Sequence, residues 1–448
     1  MLLSSLPART RLALCALVLA ACDGSSTGTT TPPPSPPPPT LSPEAQWLAA
    51  NAHPITTLAI GNDFRDLEPL RAAIGGARMV MLGEQSHGDG TTFLAKARLI
   101  AFLHQEMGFD VLAWESGIYD VHEVWDHIRA GEDVLAASRR GIFGIWTRSE
   151  QVLPTLDYVS RTLGTARPLE MAGFDNQLTG TIANDSLSAH VLAFARGIGS
   201  PVANDPEWPA AAATLTDLAV TGSQPKPSLA DQARLLRILG ALRLDAFARS
   251  ARDREALFWM QALSSIESYA RMRWAANSPP TSEDNNPRDA QMGANLVWLA
   301  NTYYPGRKII VWAASAHTAR NLAPLRTSEG VRPFASGWTV HMGDQVYRAP
   351  GVEMYSIGFT AAGGSFGQVG GAPQTIRPNL PESLETHFAA TPFDYAFIDF
   401  RKRAAGGEWL TDTYSRPFGY SDLRGDWTAV FDGMIFTRVM TPSTLAPR

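Results

Sequence analysis

The chain has 448 residues, of which 45% are hydrophobic and 18% charged, a balance that can bury one large domain or a domain with an added lobe. Its net charge of −5 and its lack of any Lys/Arg-rich run exclude the basic surface that nucleic-acid-binding proteins use. Both cysteines, Cys15 and Cys22, lie near the N-terminus, which excludes a disulfide, a thiolate metal site or a cysteine nucleophile from the folded part.

The N-terminal residues have the pattern of an export signal. Two arginines precede an apolar run, residues 12–19, that is too short to span a bilayer in the mature protein. The run ends in residues 19–22 (LAAC), which resemble a lipobox and predict a signal peptide over residues 1–21 and lipidation of Cys22. An ordinary signal peptide with an incidental cysteine is the alternative.

The segment that follows, residues 22–40, is rich in small polar residues and then in proline. Such a composition cannot form a core and favours extended polyproline II. It predicts a tether that holds the folded part at a membrane through the lipid on Cys22. The expected location is therefore the cell envelope, facing the periplasm.

Short apolar runs predict the buried strands of one sheet. They cover residues 78–83, 109–115, 168–174 and 308–313. Between the first two, residues 91–107 have helical periodicity, which Gly108 ends. Short apolar strands separated by helices are typical of a mainly parallel sheet with helices on both faces, so we expect an α/β fold.

The character of the chain changes after residue 183. Residues 228–249 and 252–276 are predicted as two long amphipathic helices of a mostly helical lobe inserted into the α/β core. The lobe would form a lid or one wall of a cleft, and a plain helical layer of the main fold is the alternative. The predicted domains are a first part of the core, residues 41–183, the helical lobe, residues 184–295, and a second part of the core, residues 296–448.

Two further segments are predicted as loops. Residues 277–287 are rich in proline and asparagine, a composition that favours a mobile connection. Residues 363–367 (GGSFG) are glycine-rich but lack the spacing of a phosphate-binding loop.

Polar side chains follow the ends of the predicted strands. Glu84, Glu115, Asp175 and His317 each lie at or just after such an end, and His87 lies three residues beyond Glu84. In parallel sheets, functional sites gather beyond the carboxyl ends of the strands. A neutral imidazole is a good base near neutral pH, and a neighbouring carboxylate fixes its tautomer. Two histidines and two glutamates in one crevice would suit water activation beside a group that stabilises an oxyanion.

Other chemistries compete for the same residues. Glutamate and histidine can bind zinc or iron, although Glu84-x-x-His87 is not the helical HExxH pattern. A serine nucleophile is disfavoured because Gly-x-Ser-x-Gly is absent and Ser86 is adjacent to His87. Asp89 and Asp175 are candidates for polar support, and a helix cap is the structural alternative for Asp175.

Short motifs occur in order along most of the chain. They are residues 82–88 (LGEQSHG), Arg98-Leu99 with Leu103, Gly108-Phe109, Trp114-Glu115, Trp146 with Glu150, 173–175 (GFD), 288–296 (RDAQMGANL), 310–317, 397–401 (FIDFR) and 431–433 (FDG). Through their order and spacing, from about residue 65 to 440, the chain resembles the erythromycin esterase family.

The resemblance implies hydrolysis of a carboxylic ester, the lactone of a macrolide, without a metal or another cofactor. At the matching positions His87 would be the general base that activates water, and Glu115 would support or orient it. Glu84 and His317 would complete the polar cluster and bind the ester or its oxyanion. The expected substrate-binding residues are Lys96, Arg98 and Asp175.

Two positions depart from the family pattern. Lys96 stands where the family has an arginine nine residues after the catalytic histidine, which keeps the charge but loses the bidentate fork. Arg98 matches a second family arginine, and residues two apart on a helix point about 200° apart, so Arg98 cannot take over the first role. Ala314-Ser315 replaces the family's His-Asn pair. Both departures concern which substrate is hydrolysed rather than membership of the family.

Three hypotheses follow. The first is a hydrolase that opens macrolide lactones, and the second is a hydrolase with the same mechanism that acts on another ester or on an envelope glycan. The third is a lipoprotein that binds haem or a metal without catalysis, against which the charged pair Glu84 and Glu115 argues. The expected partners are a small-molecule ester and a membrane, not a nucleic acid.

Overall fold

Eleven strands and sixteen α-helices occur in the computed structural model, which describes residues 41–276 and 281–446. The strands are β1 (His53–Pro54), β2 (Met79–Leu82), β3 (Val111–Gly117), β4 (Glu170–Asp175), β5 (Ile309–Trp312), β6 (Met354–Phe366), β7 (Gln374–Thr375), β8 (Tyr395–Asp399), β9 (Thr413–Ser415), β10 (Leu423–Gly425) and β11 (Gly433–Met440).

One or more helices follow each strand from β1 to β5, and further helices lie among the later strands. They are α1 (Pro43–Asn51), α2 (Glu68–Ile74), α3 (Gly90–Met107), α4 (Ile118–Arg129), α5 (Val134–Gly141), α6 (Gly144–Thr147), α7 (Leu153–Thr162), α8 (Thr181–Gly197), α9 (Trp208–Thr221), α10 (Leu229–Phe247), α11 (Arg254–Ala275), α12 (Asn285–Trp298), α13 (Ser315–Thr318), α14 (Met342–Arg348), α15 (Leu384–Ala389) and α16 (Trp427–Val430). A π-helical turn, Leu299–Tyr303, extends α12.

Nine of the strands form one mostly parallel sheet. Its order is β1-β8-β11-β6-β2-β5-β3-β4, with β7 paired to β6. The run from β11 to β4 is parallel throughout, whereas β8 pairs antiparallel with both β1 and β11. The α/β fold predicted from the apolar runs is confirmed.

Helices cover both faces of this sheet. Alternate residues of a strand point to opposite faces, and in β11 Ile435 belongs to the larger hydrophobic core whereas Phe436 belongs to a second core. The larger core includes Phe102 of α3, and the second includes Leu48 of α1 and Phe388 of α15. The central strands are therefore buried on both sides, which explains why they are continuous apolar runs.

The predicted elements of the first half are found with small shifts. Strands β2 to β5 lie within two residues of their predicted bounds, because each is a run of buried side chains. Helix α3 ends at Gly108, which adopts the left-handed conformation with φ 76°. Helix α1 begins after Ser42, whose Oγ accepts the backbone N–H of Ala45 at 3.1 Å.

Residues 184–295 are mostly helical, as the sequence predicts. Helices α8 to α11 pack side chains such as Val191, Leu239 and Leu263 into the same core as the central strands. The boundaries of a separate lobe at residues 184 and 295, and its role as a lid, stay predictions.

Both predicted loops need correction where the structure describes them. Residues 277–280 lie outside the described part of the chain, but residues 285–287 are the first turn of α12, since proline is tolerated there. Residues 363–366 belong to strand β6, paired with β11 and β7. Gly364, at φ 99°, is required in that strand because a Cβ would lie 2.1 Å from the carbonyl oxygen of Met440.

Residues 441–443, just after β11, contact the turn that follows β2. Gly90 N donates to Thr441 O at 2.9 Å, and Ser443 N donates to Gly88 O at 2.9 Å. A Cβ at Gly88 would lie 2.4 Å from the backbone of Gly367, so the same turn is also in close contact with the residue that follows β6. The turn between β2 and α3 is thus held by residues more than 270 positions away.

Candidate active site

The turn between β2 and α3 places a glutamate beside a histidine. Glu84 is fully buried, whereas the side chain of His87 is 30% exposed. His87 Nδ1 lies 2.7 Å from Glu84 Oε1. Asp89 shapes the turn, because its Oδ2 accepts the backbone N–H of Ser86 at 2.8 Å and its Oδ1 accepts the hydroxyl of Tyr420. Glu84 therefore orients the His87 side chain through Nδ1, while part of the ring stays exposed to solvent.

Glu84 also binds a lysine and a tryptophan. Lys96 Nζ of α3 donates to Glu84 Oε2 at 2.6 Å, and Trp146 Nε1 of α6 donates to Oε1 at 3.1 Å. Lys96 is fully buried, with its ammonium 4.1 Å from the ring of Trp312. Burial lowers the pKa of Lys96, which the charge of Glu84 opposes. Lys96 thus stabilises a buried carboxylate rather than facing the solvent.

The carboxylate of Glu84 fixes the tautomer of His87. An ionised carboxylate only accepts hydrogen bonds, so Nδ1 carries the hydrogen and Nε2 keeps its lone pair. Burial by itself would lower the pKa of His87, but the hydrogen bond and charge of Glu84 outweigh it and raise that pKa. The ring of Trp146 packs edge-on at 5.4 Å. His87 is thus a basic imidazole with one free nitrogen.

A second polar group forms around Arg288 at the start of α12. Its Nη2 donates to Asp175 Oδ2 at 2.6 Å and to Glu115 Oε1 at 2.8 Å, and its Nη1 lies 3.3 Å from His317 Nε2. Two neighbouring carboxylates raise the pKa of Arg288 further, although burial opposes this. Arg288 thus joins the ends of β3 and β4 to the histidine that follows β5.

Glu115 is ionised in this group. Its Oε2 accepts the backbone N–H of Ala314 at 2.8 Å, and its Oε1 lies 3.4 Å from His317 Nε2. Burial favours the neutral acid, but the charges of His317, Arg288 and His87 lower the pKa of Glu115 to about 2. The charge of Glu115 raises the pKa of His87 in turn, so the two polar groups act on one another.

His317 has a carboxylate partner of its own. Its Nδ1 lies 3.0 Å from Asp289 Oδ1, and Asp289 also accepts Trp338 Nε1 and the backbone N–H of Met342. Burial would lower the pKa of His317, but Asp289 and Glu115 raise it. Asp289 and Glu115 therefore favour the protonated form of His317.

The structure brings together six of the seven predicted site residues of the folded part. Glu84, His87 and Lys96 form one hydrogen-bonded group, and Glu115, Asp175 and His317 join the other through Arg288. These six are all near the carboxyl ends of parallel strands or in the helix that follows β2.

Arg98 is not in this cluster. Its guanidinium donates to both oxygens of Asp66, and to the carbonyl oxygens of Thr57 and Asp63. Arg98 lies two residues beyond Lys96 on α3, and it points to the opposite side of that helix, as the geometry requires. These hydrogen bonds attach residues 57–66, the segment before α2, to α3.

Sequence reasoning did not single out Arg288, Asp289 or Trp146 as site residues. Arg288 and Asp289 appeared only within the motif of residues 288–296, and Trp146 only in a pair with Glu150. An adjacent Arg-Asp pair at a helix start was the available signal. It could not show that the arginine would contact three strand ends.

The departure at Ala314-Ser315 leaves the backbone contacts of the cluster intact. Ala314 N donates to Glu115, and Ser315 N donates to Glu84 O at 2.8 Å. Both contacts depend on the main chain, so they are independent of the side chains that stand at these positions.

Within residues 41–276 and 281–446, no group of three or more His, Cys, Asp or Glu side chains is placed to hold a metal ion. In the same residues no helix is both long and apolar enough to cross a membrane. Cys22, predicted to carry a lipid, lies outside the described residues, together with the predicted signal peptide and the predicted tether.

Comparison with known proteins gives a family and two relatives. The family model described as erythromycin esterase matches residues 104–440, which include Glu115, Arg288 and His317 but begin after His87. The putative hydrolase YbfO of Bacillus subtilis (strain 168) is 25% identical over 420 residues, covering 89% of this chain and 91% of that protein. The erythromycin esterase type II of Escherichia coli is 30% identical over 92 residues, covering 20% of this chain and 22% of that protein.

Solved structures share the fold. A Bacillus cereus protein has a TM-score of 0.73 at 18% identity, covering 90% of this chain and 98% of its own. A succinoglycan biosynthesis protein has a TM-score of 0.66 at 18% identity, covering 89% and 97%. A histidine-to-asparagine mutant of the erythromycin esterase EreC, in its open conformation, has a TM-score of 0.63 at 16% identity, covering 86% and 96%.

Proposed function

Because the chain belongs to the erythromycin esterase family and is a hydrolase of that family, we propose that it hydrolyses a carboxylic ester with water activated by His87. The observation that carries this proposal is the 2.7 Å contact between His87 Nδ1 and the buried Glu84. It leaves Nε2 as a base on a partly exposed ring, which is the arrangement that general-base catalysis needs.

In the proposed reaction, Nε2 of His87 removes a proton from water, and the oxygen attacks the carbonyl carbon of the ester. We assign the stabilisation of the resulting oxyanion to the N–H groups of Arg288 and to His317, whose Nε2 lies 3.3 Å from Arg288 Nη1. When the carbon–oxygen bond of the ester breaks, the proton on His87 passes to the departing alkoxide. The products are a carboxylic acid and an alcohol, and a lactone opens with the gain of one water.

Glu115 and Asp175 have the supporting roles in this scheme. Both carboxylates bind Arg288 and hold its guanidinium in one orientation. Asp175 therefore contributes to substrate binding through the arginine. Lys96, whose ammonium is bound to Glu84, contributes through the carboxylate that orients His87.

The macrolide lactone is the finer part of the proposal. The name of the family and that of the Escherichia coli relative support it. Lys96 and Ala314-Ser315, which depart from the family pattern, favour a second candidate, in which the same chemistry acts on another ester.

The test is to incubate purified protein with erythromycin and with a panel of simple lactones and acyclic esters, and to follow the products by mass spectrometry. The expected result is a mass gain of one water that His87→Gln abolishes while the circular dichroism spectrum is unchanged. Hydrolysis of the other esters alone would support the second candidate. Turnover by His87→Gln at the wild-type rate would exclude His87 as the base.

We also propose that Cys22 carries a lipid that places the catalytic domain at a membrane facing the periplasm. The lipobox-like residues 19–22 and the proline-rich tether support this. Cys22→Ser should move the protein from the membrane fraction to the soluble periplasmic fraction. An unchanged distribution would argue for an ordinary signal peptide.

A further inference from the structure

A cavity of about 780 Å³ lies apart from the candidate active site. Its walls come from α4, α8, α11, the start of β4 and the π-helical turn, and no residue of the His87 and Arg288 groups lines it. Strand β4 connects the two places, since Glu170 lines the cavity and Asp175 binds Arg288. At about 3.3 Å per residue Glu170 and Asp175 are roughly 17 Å apart along the strand, and Gly173, the nearest β4 residue of the lining, is about 7 Å from Asp175. The volume is in the range of about 300–1,000 Å³ that small-molecule sites have.

Stacked, uncharged rings form much of the wall. His122 stacks on Phe258 with ring centroids 3.6 Å apart, and Phe194 stacks on Trp259 at 5.3 Å. Burial lowers the pKa of His122 to about 4, so this imidazole is neutral near neutral pH. Rings of this kind offer a negative face to a cation.

One protein cation already uses an aromatic ring of the wall. The guanidinium carbon of Arg254 lies 3.9 Å from the centroid of Tyr303. Arg254 is exposed at the edge of the cavity, and it donates a hydrogen bond to the carbonyl oxygen of Tyr303. Tyr303 thus binds a cation against its ring at the edge of the cavity.

Carboxylates outnumber guanidinium groups in the lining. The lining has four carboxylates, from Glu123, Asp126, Glu170 and Glu255, and two guanidinium groups, from Arg129 and Arg254. Glu170 accepts from Arg307 and Tyr304, and Asp126 accepts from the exposed Arg129.

Glu123 is the largely buried carboxylate of this set that has no guanidinium partner among the described contacts. Its described ion-pair partner is the imidazole of His190, at 3.2 Å. Burial raises the pKa of Glu123 to about 7, and the charges of Asp126 and Glu255 add to this rise. A cationic donor placed near Glu123 would therefore be stabilised by the local field.

We propose that this cavity binds a protonated organic amine carried on a ring or another apolar body. The ammonium group donates to Glu123 and lies against the aromatic wall, and the apolar part displaces water from the stacked rings. A second ligand site, independent of the ester chemistry at His87, follows from this assignment. An anion would meet the excess of carboxylates and is disfavoured.

Three probes of the same ring and different charge test the assignment: benzylammonium, benzyl alcohol and benzoate. Each is titrated into the full-length protein by isothermal calorimetry at about pH 8, above the pKa of Glu123. Benzylammonium should bind more tightly than benzyl alcohol, and benzoate should bind most weakly. Because no substrate is involved, the result is independent of whether an ester is hydrolysed.

Variants of the carboxylates locate the binding. Glu123→Gln, which keeps the shape of the side chain, should weaken benzylammonium about tenfold or more, since it removes a charge-assisted hydrogen bond. Asp126→Asn should weaken it less, and Glu382→Gln, an exposed glutamate outside the cavity, should leave it unchanged. Binding of benzoate as tight as that of benzylammonium, a Glu123→Gln variant with wild-type affinity, or no heat with any probe would overturn the proposal.

Discussion

Lys96 Nζ lies 2.6 Å from one oxygen of Glu84, while His87 Nδ1 lies 2.7 Å from the other. One buried carboxylate therefore connects an ammonium that never reaches solvent to an imidazole that does. The ammonium donates to one oxygen of Glu84, and the other oxygen accepts from His87 Nδ1, which leaves the free lone pair of His87 on Nε2. Lys96, which stands where the family has an arginine, makes this contact with Nζ as its single donor group.

Lys96→Met should therefore lower the free energy of unfolding and reduce the turnover rate. Removing one partner of a buried ion pair leaves the other charge uncompensated, at a cost of about 3–5 kcal/mol in the free energy of unfolding. Urea unfolding measures this loss, and turnover below the transition measures the effect on His87. Lys226→Met, at an exposed lysine, is the control and should unfold as the wild type does. Equal midpoints for both variants would show that the Lys96 pair contributes nothing.

The pH dependence of kcat/KM should have a rising limb controlled by His87. The protonated imidazole cannot act as a base, and Glu84 raises the pKa of His87 above 6.5, so activity should increase as pH rises through a value above 6.5. In Glu84→Gln the opposing effect of burial prevails, and the limb should move to lower pH. A limb that stays in place in this variant would contradict control by the Glu84 and His87 pair.

Asp289→Asn should lower the pKa of His317 and reduce kcat while His317 stays in place. The carboxylate of Asp289 accepts from His317 Nδ1, Trp338 and Met342, and an amide cannot accept from all three. The pKa of His317 should fall because its carboxylate neighbour is lost. We expect kcat to decrease by about 10²-fold, the lower end of the contribution of a positioned acid or base.

Two measurements distinguish this positioning role from a structural one. The falling limb of the pH profile, which reports protonated His317, should move to lower pH in Asp289→Asn. Asp344→Asn, which changes an aspartate that binds Asn321 and Arg348 instead, should leave the profile unchanged. A reduced rate with an unshifted profile would assign Asp289 to the fold alone.

Arg98→Gln should reduce stability but leave catalysis unchanged. Arg98 is 2% exposed and binds Asp66, so its loss should cost about 2–3 kcal/mol in unfolding free energy. Its hydrogen bonds go to residues before α2, so KM for the folded enzyme should not change. Arg65→Gln, at an exposed arginine nearby, is the control. An increase in KM would restore Arg98 as the substrate-binding residue expected from the sequence.

Local patterns in the sequence were enough for strands β2 to β5 and for part of the site. Strands β2 to β5 are buried at every position except Glu170, so hydrophobic runs mark them. Glu84 and His87 are three residues apart, and a contact at that spacing is available from the turn itself. Placement after strand ends brought Glu115 and His317 into the same prediction.

The remainder depends on contacts between distant parts of the chain. Arg288 binds Asp175 across 113 positions, and no local pattern distinguishes it from the other arginines. Arg98 and Lys96 share a helix and a charge, and only the packing of α3 decides which one faces Glu84. Residues 363–366 look like a glycine-rich loop, yet pairing with the last strand makes them part of the sheet.

The contact of residues 441–443 with the turn that carries His87 has a consequence for biogenesis. Strand β11, which precedes these residues, lies between β8 and β6 in the interior of the sheet. The turn at Gly88 and the sheet that supports it therefore cannot close until residues 433–443 have left the ribosome. A chain in which residues 433–443 are not yet in place would carry Glu84 and His87 in a form that cannot turn over substrate, and activity would appear only as these contacts form.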